Sequence, residues 1–389
     1  MTNYQRFTEE LRAAGMNAKA AVFLVNKLKE DEEYSVTTPK EKEWALTRGF
    51  FPGRIAFYGL TEENYRDYVP DYHYFMLFPF NHHFRIWIND KLTLKYVLNR
   101  QDLKQFMPEY YLYIENDGSY TYLMDCPDEV PKDEHFIRNL LCRKKKLVMK
   151  PNSGTSGGLG FFRLEQKEDL LYVNNRLTDE AEFAGICYSL KNYIVTEYVT
   201  QHEALADIWP KSECTLRVIM YKNVKDRYEP AAWSCAASYA RFGTEISGGV
   251  SNISAGGFGV VFDFDTGLFA ECGFRYRRFS PDGFWQLREH PDSHKGWYGS
   301  RMPRWEETRE AICRICGYIS SLSYLAFDII ITSDGMKICE INSLPSMDYE
   351  QVMCGPALGK EPFKRFFMEK GLTSFDGKRF YEAYMNSQE

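Results

Sequence analysis

The chain has 389 residues, enough for two or three structural units at roughly 150 residues each, so a single small module is excluded. Its 44% hydrophobic and 26% charged residues support a sizeable core and rule out wholesale disorder. With 48 Lys plus Arg against 54 Asp plus Glu, a net charge of −6, it lacks the broad basic footprint of a nucleic-acid binder, and any anionic ligand must be held by local groups.

The opening MTNYQRFTEELRAAG is a polar helical pattern without a signal-peptide core, and no later run approaches the roughly 20 apolar residues that span a bilayer. A cytoplasmic chain with no integral membrane association is therefore expected. The ten cysteines stand singly in apolar segments and read as reduced thiols. The close pair Cys313-Arg-Ile-Cys316 lacks the second pair that a zinc ribbon requires and fits a buried helix face.

Residues 3–30 carry Phe7, Leu11, Met16, Ala20, Phe23, Leu24 and Leu28 at helical spacing and predict one or two helices. From Trp44 to Tyr113 aromatic residues are dense and Pro and Gly frequent, which predicts irregular, strand-poor structure around a helix starting near Asn89; His82 and His83 belong to that aromatic surface. After Arg143–Lys146 come short apolar runs separated by turns, the signature of an antiparallel sheet. These runs are 147–149, 161–164, 193–199, 215–221, 231–240, 258–264, 324–331 and 337–341, with a helix over 305–322 and a Phe-rich helical tail over 361–386.

The strongest chemical signal is LAFDIIITSDGMKICEIN, a hairpin with a predicted three-residue loop Ser333-Asp334-Gly335. That loop places Thr332 opposite Met336, Ile330 opposite Ile338 and Asp328 opposite Glu340, with Asn342 on the same face. Two opposed carboxylates repel in a bare sheet, whereas two carboxylates beside an amide oxygen suit a hard cation such as Mg²⁺. A second signal is Lys150-Pro-Asn-Ser153-Gly154-Thr155-Ser156-Gly157-Gly158-Leu-Gly160, where four glycines and the hydroxyls can close over phosphates beside the lysine. The lysine precedes the glycines and a strand follows, so this is not a Walker loop, and taken alone it reads equally as a plain hairpin.

In combination, the lysine strand, the glycine loop, the acidic strand YIVTEYV, and an Asp followed by Glu-x-Asn resemble the ATP-grasp fold. YIVTEYVTQHEALADIWPKSECTLRV, Ser251-Asn252, Gly256-Gly257, His290-Pro291-Asp292 and the EINSLPS ending narrow the resemblance to the sugar-transfer-associated ATP-grasp family, over roughly 85–360. The resemblance implies an α+β fold in which two subdomains with antiparallel sheets clamp ATP. It gives an N-terminal helical and aromatic-rich region (1–85), a first subdomain with the glycine lid (86–195), a second with the metal site (196–360) and a helical tail (361–389).

ATP and Mg²⁺ are the implied cofactors. Lys150 and the loop 153–160 resemble the phosphate contacts, Lys91 the earlier ATP lysine with Lys95 as its competitor, and Glu197-Tyr198-Val199 the adenine-reading hinge. Glu203 or His202 is placed for the ribose, Asp328, Glu340 and Asn342 match the metal triad, and Arg217 matches the arginine facing the triphosphate. Arg241, before Gly243, is suited to grip a phosphate or substrate carboxylate. Arg275, Arg277 and Arg278 form a basic run suited to an anionic acceptor or to a solvated face, and His290 is a candidate for the acceptor site.

The implied activity is an ADP-forming carboxylate–amine ligase acting on small molecules, in cell-surface polysaccharide or sugar-conjugate synthesis. The alternatives are a kinase acting on a sugar or cyclitol hydroxyl, with the same metal triad, and a non-catalytic nucleotide-binding module.

Overall fold

A computed structural model describes residues 2–154, 160–223, 232–279 and 285–388, with nothing said of the Arg277 side chain. Thr155, Ser156, Gly157 and Gly158 of the glycine loop lie outside the described residues.

The fold is α+β, built on two seven-stranded sheets, and every strand pair in both is antiparallel. The first sheet comprises β1 (Tyr110–Ile114), β2 (Tyr120–Tyr122), β3 (Lys146–Pro151), β4 (Phe162–Lys167), β5 (Leu170–Val173), β6 (Arg176–Thr178) and β7 (Tyr193–Glu197) in the order β2-β1-β7-β3-β4-β5-β6. Helices Phe136–Lys144 and Glu180–Ser189 cover it, packing Phe136, Leu140 and Phe183 on Leu147, Met149 and Val195. The second sheet comprises β8 (Thr215–Asn223), β9 (Ala232–Phe242), β10 (Phe258–Phe262), β11 (Phe269–Phe274), β12 (Gln286–Leu287), β13 (Tyr324–Thr332) and β14 (Gly335–Asn342) in the order β12-β11-β10-β9-β8-β13-β14.

The central strands β8 and β13 are covered on both faces, to which their successive side chains point alternately. Leu216, Val218, Leu325, Phe327 and Ile329 face helix Trp305–Tyr318 through Ala311, Ile312 and Ile315. Ile219, Tyr221, Tyr239, Tyr324 and Ala326 face an aromatic layer from the N-terminal region and the tail, including Tyr74, Phe80, Phe363 and Phe367. All nine residues of β13 are therefore buried, which is why the strand reads as a continuous apolar run.

The hairpin of β13 and β14 corrects the expected turn. Thr332 pairs with Gly335, so the loop is the two residues Ser333-Asp334, closed by a hydrogen bond from Thr332 Oγ1 to Asp334 Oδ1 (2.7 Å). Ile330 pairs with Lys337 and Ile329 with Ile338, one residue away from the expected register. A bulge between Asp328/Glu340 and Ile329/Ile338 then absorbs Cys339, and Asp328 stands opposite Glu340 after all, with Ala326 opposite Asn342.

The Trp44–Tyr113 segment consists mainly of short helices, among them Arg54–Tyr58, Asp71–Met76 and Lys91–Val97, with β1 at its end. Helices Asn3–Ala13 and Ala18–Tyr34 pack with the C-terminal helix Lys378–Gln388, bringing Phe7 to 5.8 Å from Phe380 and 5.7 Å from Tyr384. All ten cysteines are free thiols; Cys316 is buried in helix Trp305–Tyr318 and Cys313 is exposed.

Candidate functional site

The two sheets approach each other at Lys150, which closes β3, and at the bulge of β14. Cys339 carries the extra residue there, and its carbonyl accepts from Lys150 Nζ at 3.2 Å. Burial pushes the Lys150 ammonium below its ordinary pKa, and the neighbouring Lys91 pushes in the same direction.

Lys91 is brought in by the start of its helix. Asp90 caps it, accepting from Thr93 N at 2.8 Å, while its other oxygen accepts from Asn152 Nδ2 at 2.6 Å. The Asn152 carbonyl and side-chain oxygens accept in turn from Lys91 N and Leu92 N, so the first residues of the glycine loop and the helix N-terminus fix each other. Lys91 Nζ lies 3.5 Å from Glu340. The competing Lys95 is turned away, into Pro108 O (2.7 Å) and Asp125 (2.6 Å).

On the same face of the second sheet, Arg217 pairs across the ladder with Asp328, donating from Nε to Oδ1 at 2.6 Å and from Nη2 to Oδ2 at 3.1 Å. Arg241, from β9, reaches Asp328 Oδ1 at 3.1 Å. Burial alone would raise the Asp328 pKa, but the two guanidinium groups hold it at about 2. Arg241 is itself buried, and its Nε is a buried donor without a hydrogen-bond partner among the described residues. Asn342 Nδ2 donates to Glu340 Oε1 at 3.1 Å, so the carbonyl oxygen is the atom Asn342 has left for a cation.

One end of a cavity of about 420 Å³ is lined by Lys91, Gly154, Arg217, Arg241, Asp328, Glu340 and Asn342, while Lys150 and Ser153 are not among its lining residues. Among the described residues no group of three or more His, Cys, Asp and Glu is gathered as a metal set, so the candidate donors are two carboxylates and one amide. That donor set fits a hard divalent cation. An ionised carboxylate has about four acceptor positions, and the arginines occupy three on Asp328, which leaves Oδ2 one free direction.

The remaining candidate residues do not line this cavity. Glu197 spends its carboxylate on Glu109 N (2.8 Å), and Tyr198 lies under Lys146 and Arg163. Val199 is buried, and Glu203 is exposed at the start of helix Glu203–Ile208, with His202 as its cap. His290 is fully buried and serves the local chain: its Nε2 meets Gly243 O at 2.9 Å, its Nδ1 accepts from Asp292 N and Ser293 N, and Trp209 stacks on it at 4.3 Å. Of the basic run, Arg275 is buried, while Arg278 pairs with Glu30 (2.9 Å) and donates to Ser254 O.

Sequence reasoning did not single out Arg54, Asp71 or Asp348, which form the cavity's opposite wall. Buried Arg54 forks onto Asp71 (3.0 Å) and reaches Asp348 at 3.4 Å, across 294 residues of sequence. No local spacing signals a contact of that range. It also missed Glu350, which accepts from Tyr239 Oη at 2.8 Å one strand away from Arg217, and whose carboxyl burial pushes up to about 7.

Among solved structures the chain is similar to D-alanine–D-alanine ligase from Bacillus anthracis, at 12% identity over 76% of this chain and 69% of that one, with a TM-score of 0.39. It is also similar to the ATP-grasp ligase PsnB complexed with a minimal precursor, at 12% identity over 75% and 63%, with a TM-score of 0.36. With an ADP complex of PurK, N5-carboxyaminoimidazole ribonucleotide synthetase, it shares 12% identity over 67% of this chain but only 46% of that one, with a TM-score of 0.34. These likenesses are too weak to carry an argument about activity. No curated protein matches the chain. The family model described as sugar-transfer associated ATP-grasp matches residues 74–365, well over half of the sequence. The segment it matches contains both sheets and every candidate phosphate and metal residue, and the chain belongs to the sugar-transfer associated ATP-grasp family.

Proposed function

We propose that the protein is an ATP- and Mg²⁺-dependent ligase that forms an amide, or a similar bond, from a small-molecule carboxylate and an amine, releasing ADP and phosphate. The observation that carries this reading is the convergence of Lys91, Arg217 and Arg241 on the Asp328–Glu340 pair at one end of the cavity, with Lys150 of the other sheet on the adjoining Cys339 carbonyl. Such a site works by positioning and charge stabilisation, and acyl-phosphate chemistry needs no covalent nucleophile on the protein. A substrate carboxylate oxygen attacks the γ-phosphorus and ADP leaves; the amine then adds to the acyl carbon, loses a proton, and phosphate leaves.

In this reading Lys150 and Lys91 bind phosphate oxygens, with Ser153, Gly154 and the glycines beyond them as the covering loop. Arg217 stabilises charge on the transferring group. Arg241, which lines the cavity, orients the substrate carboxylate. Mg²⁺ held by Asp328, Glu340 and Asn342 would neutralise phosphate charge. Glu197, Tyr198 and Val199 remain the proposed adenine contacts and Glu203 the ribose contact, on family resemblance alone, and the four-part division of the chain is retained on the same ground. The family's association with sugar transfer supports an acceptor from polysaccharide or sugar-conjugate synthesis.

The test is product identity with a panel of carboxylates and amines, ATP and Mg²⁺. Equal amounts of ADP, phosphate and amide are expected. AMP and pyrophosphate would sink the reading, and stable phosphate on a hydroxyl without free phosphate would make the enzyme a kinase.

A further inference from the structure

The cavity that begins at Asp328 and Glu340 does not end there. It continues along residues 343–348, which follow directly on Asn342, to an end built by the N-terminal region through Lys19, Phe23, Lys27, Arg54 and Phe75. Three contacts hold 343–348 as that wall: Ser343 N donates to Asn89 Oδ1 (3.2 Å), Tyr74 Oη to Pro345 O (2.6 Å), and Arg54 reaches Asp348 (3.4 Å). A ligand at the N-terminal end is thereby placed in line with the phosphate and metal end.

Lys19, Phe23 and Lys27 are spaced four residues apart and form one stripe of helix Ala18–Tyr34. The opposite stripe, Ala20, Ala21, Leu24 and Leu28, is buried in the core with Phe7 and Phe380, so the helix cannot rotate the first stripe away. Phe23 remains 40% exposed, with Lys19 Nζ 5.6 Å from its ring centre. A large ring left open inside a cleft, rather than in the core, is a surface for another flat or apolar body.

Charge selects the rest of the ligand. The two cavity-lining carboxylates at this end, Asp71 and Asp348, share the one guanidinium of buried Arg54, and Lys27 also acts on Asp348. Glu30, which pairs with Lys27 at 3.1 Å, is shared with Arg278 at 2.9 Å, one carboxylate between two cations. The cavity-lining cations at this end, Lys19, Lys27 and Arg54, outnumber its two carboxylates, and Lys19 and Lys27 are the two that flank Phe23 along the helix.

We propose that this end of the cleft binds the acceptor, and that the acceptor is an anion carried on a ring, its phosphate held by Lys19 and Lys27 while the ring lies against Phe23. Calling the ligand the acceptor rests on the ligase reading; the binding site does not. Both lysines and the phenylalanine lie outside the segment matched by the family model, residues 74–365, which suits a part that distinguishes one substrate from another.

The experiment is calorimetric titration of the full chain, saturated with a non-hydrolysable ATP analogue and Mg²⁺ so that the triphosphate end is filled. The probes are phenyl phosphate and glucose 1-phosphate, with inorganic phosphate, phenol and glucose as their separate halves. At least one ring phosphate is expected to bind about tenfold more tightly than either of its halves. The Lys19→Glu/Lys27→Glu double variant should weaken that binding by about tenfold or more, since charge reversal turns two attractions into repulsions. Phe23→Ala should weaken it too, and in both variants the affinity for the ATP analogue should stay within about twofold. Which probe binds distinguishes an aromatic from a sugar ring. Failure of both to bind the wild type, or equal binding to the double variant, overturns the proposal. If the ATP analogue does not bind while the ring phosphate still binds in a Lys19- and Lys27-dependent way, the ligase reading fails and this site stands.

Discussion

Asp328 is the only charged residue in a strand whose nine residues are all buried. A lone carboxylate there would be prohibitive, and it persists because Arg217 and Arg241 both stand on it. Glu340, its neighbour across the ladder, is a third exposed and pairs with Lys91, so its charge is not needed for folding. Glu340→Gln is accordingly expected to leave stability within about 1 kcal/mol of the wild type. ATP turnover should fall by about 10²-fold or more, because the site loses a charge where phosphate charge must be balanced. Denaturant titration and an ADP-release assay check the two halves.

Arg54 presents the opposite case. Replacing it by Met strands two buried carboxylates, Asp71 and Asp348, and is expected to cost about 3–5 kcal/mol in chemical denaturation. The same pair gives a pH signature. Burial would raise the Asp348 carboxyl, but Arg54 holds it at about 2, below its unfolded value. A depressed carboxylate stabilises fully above about pH 4 and loses that contribution as the pH falls towards 2. Asp348→Asn should be less stable than the wild type at neutral pH, and the difference should shrink across that acid window in pH-dependent melts.

At the level of elements, the β13–β14 hairpin shows what could be read and what could not. The apolar runs of the second sheet were visible because both faces of its central strands are buried. The opposition of Asp328 and Glu340 was also visible, but by two errors that cancel: the loop is one residue shorter than expected, and the bulge at Cys339 restores the register. A bulge has no signature in a string of apolar residues. The short or polar strands β2, β5, β6 and β12 and the helix Glu180–Ser189, with Gly185 inside it, left no clean period to detect.

The bulge also has a purpose that a regular strand would not serve, since the Cys339 carbonyl is the acceptor for Lys150. Deleting Cys339 should keep Asp328 opposite Glu340 in an unbulged hairpin while removing that anchor. Because a hydrogen bond to a charged group contributes about 1.5–3 kcal/mol, ATP affinity should fall by about tenfold or more. A thermal melt close to the wild type together with unchanged ATP affinity would show that Lys150 needs no such anchor.

Across the whole molecule, the candidate site divides by sequence distance. Lys91, Lys150, Arg217, Arg241 and the hairpin trio Asp328, Glu340 and Asn342 were legible because each lies within a short local motif. Glu197 of the hinge and Glu203, the ribose candidate, were named on resemblance, and their carboxylates lie elsewhere, on the Glu109 backbone and at an exposed helix start. The wall of Lys19, Lys27, Arg54 and Asp348 was not legible, since it is assembled from both ends of the chain by packing alone.

That packing is centred on Phe380, fully buried against Tyr72 at 5.1 Å, Phe7 at 5.8 Å and Phe51 at 6.4 Å. None of these residues belongs to the clusters that pack directly on the two sheets. Phe380→Ala opens a cavity that costs about 3–5 kcal/mol, and the cost falls on the N-terminal helices rather than on the sheets. Hydrogen exchange should therefore accelerate across helix Ala18–Tyr34 while β13 stays protected. Affinity for an ATP analogue should be nearly unchanged, because the residues proposed to hold it are carried by the sheets and by helix Lys91–Val97. Equal loss of protection in β13 would mean instead that the N-terminal region and the second sheet unfold as one unit, joined by the shared aromatic layer of Tyr74, Phe80 and Tyr324.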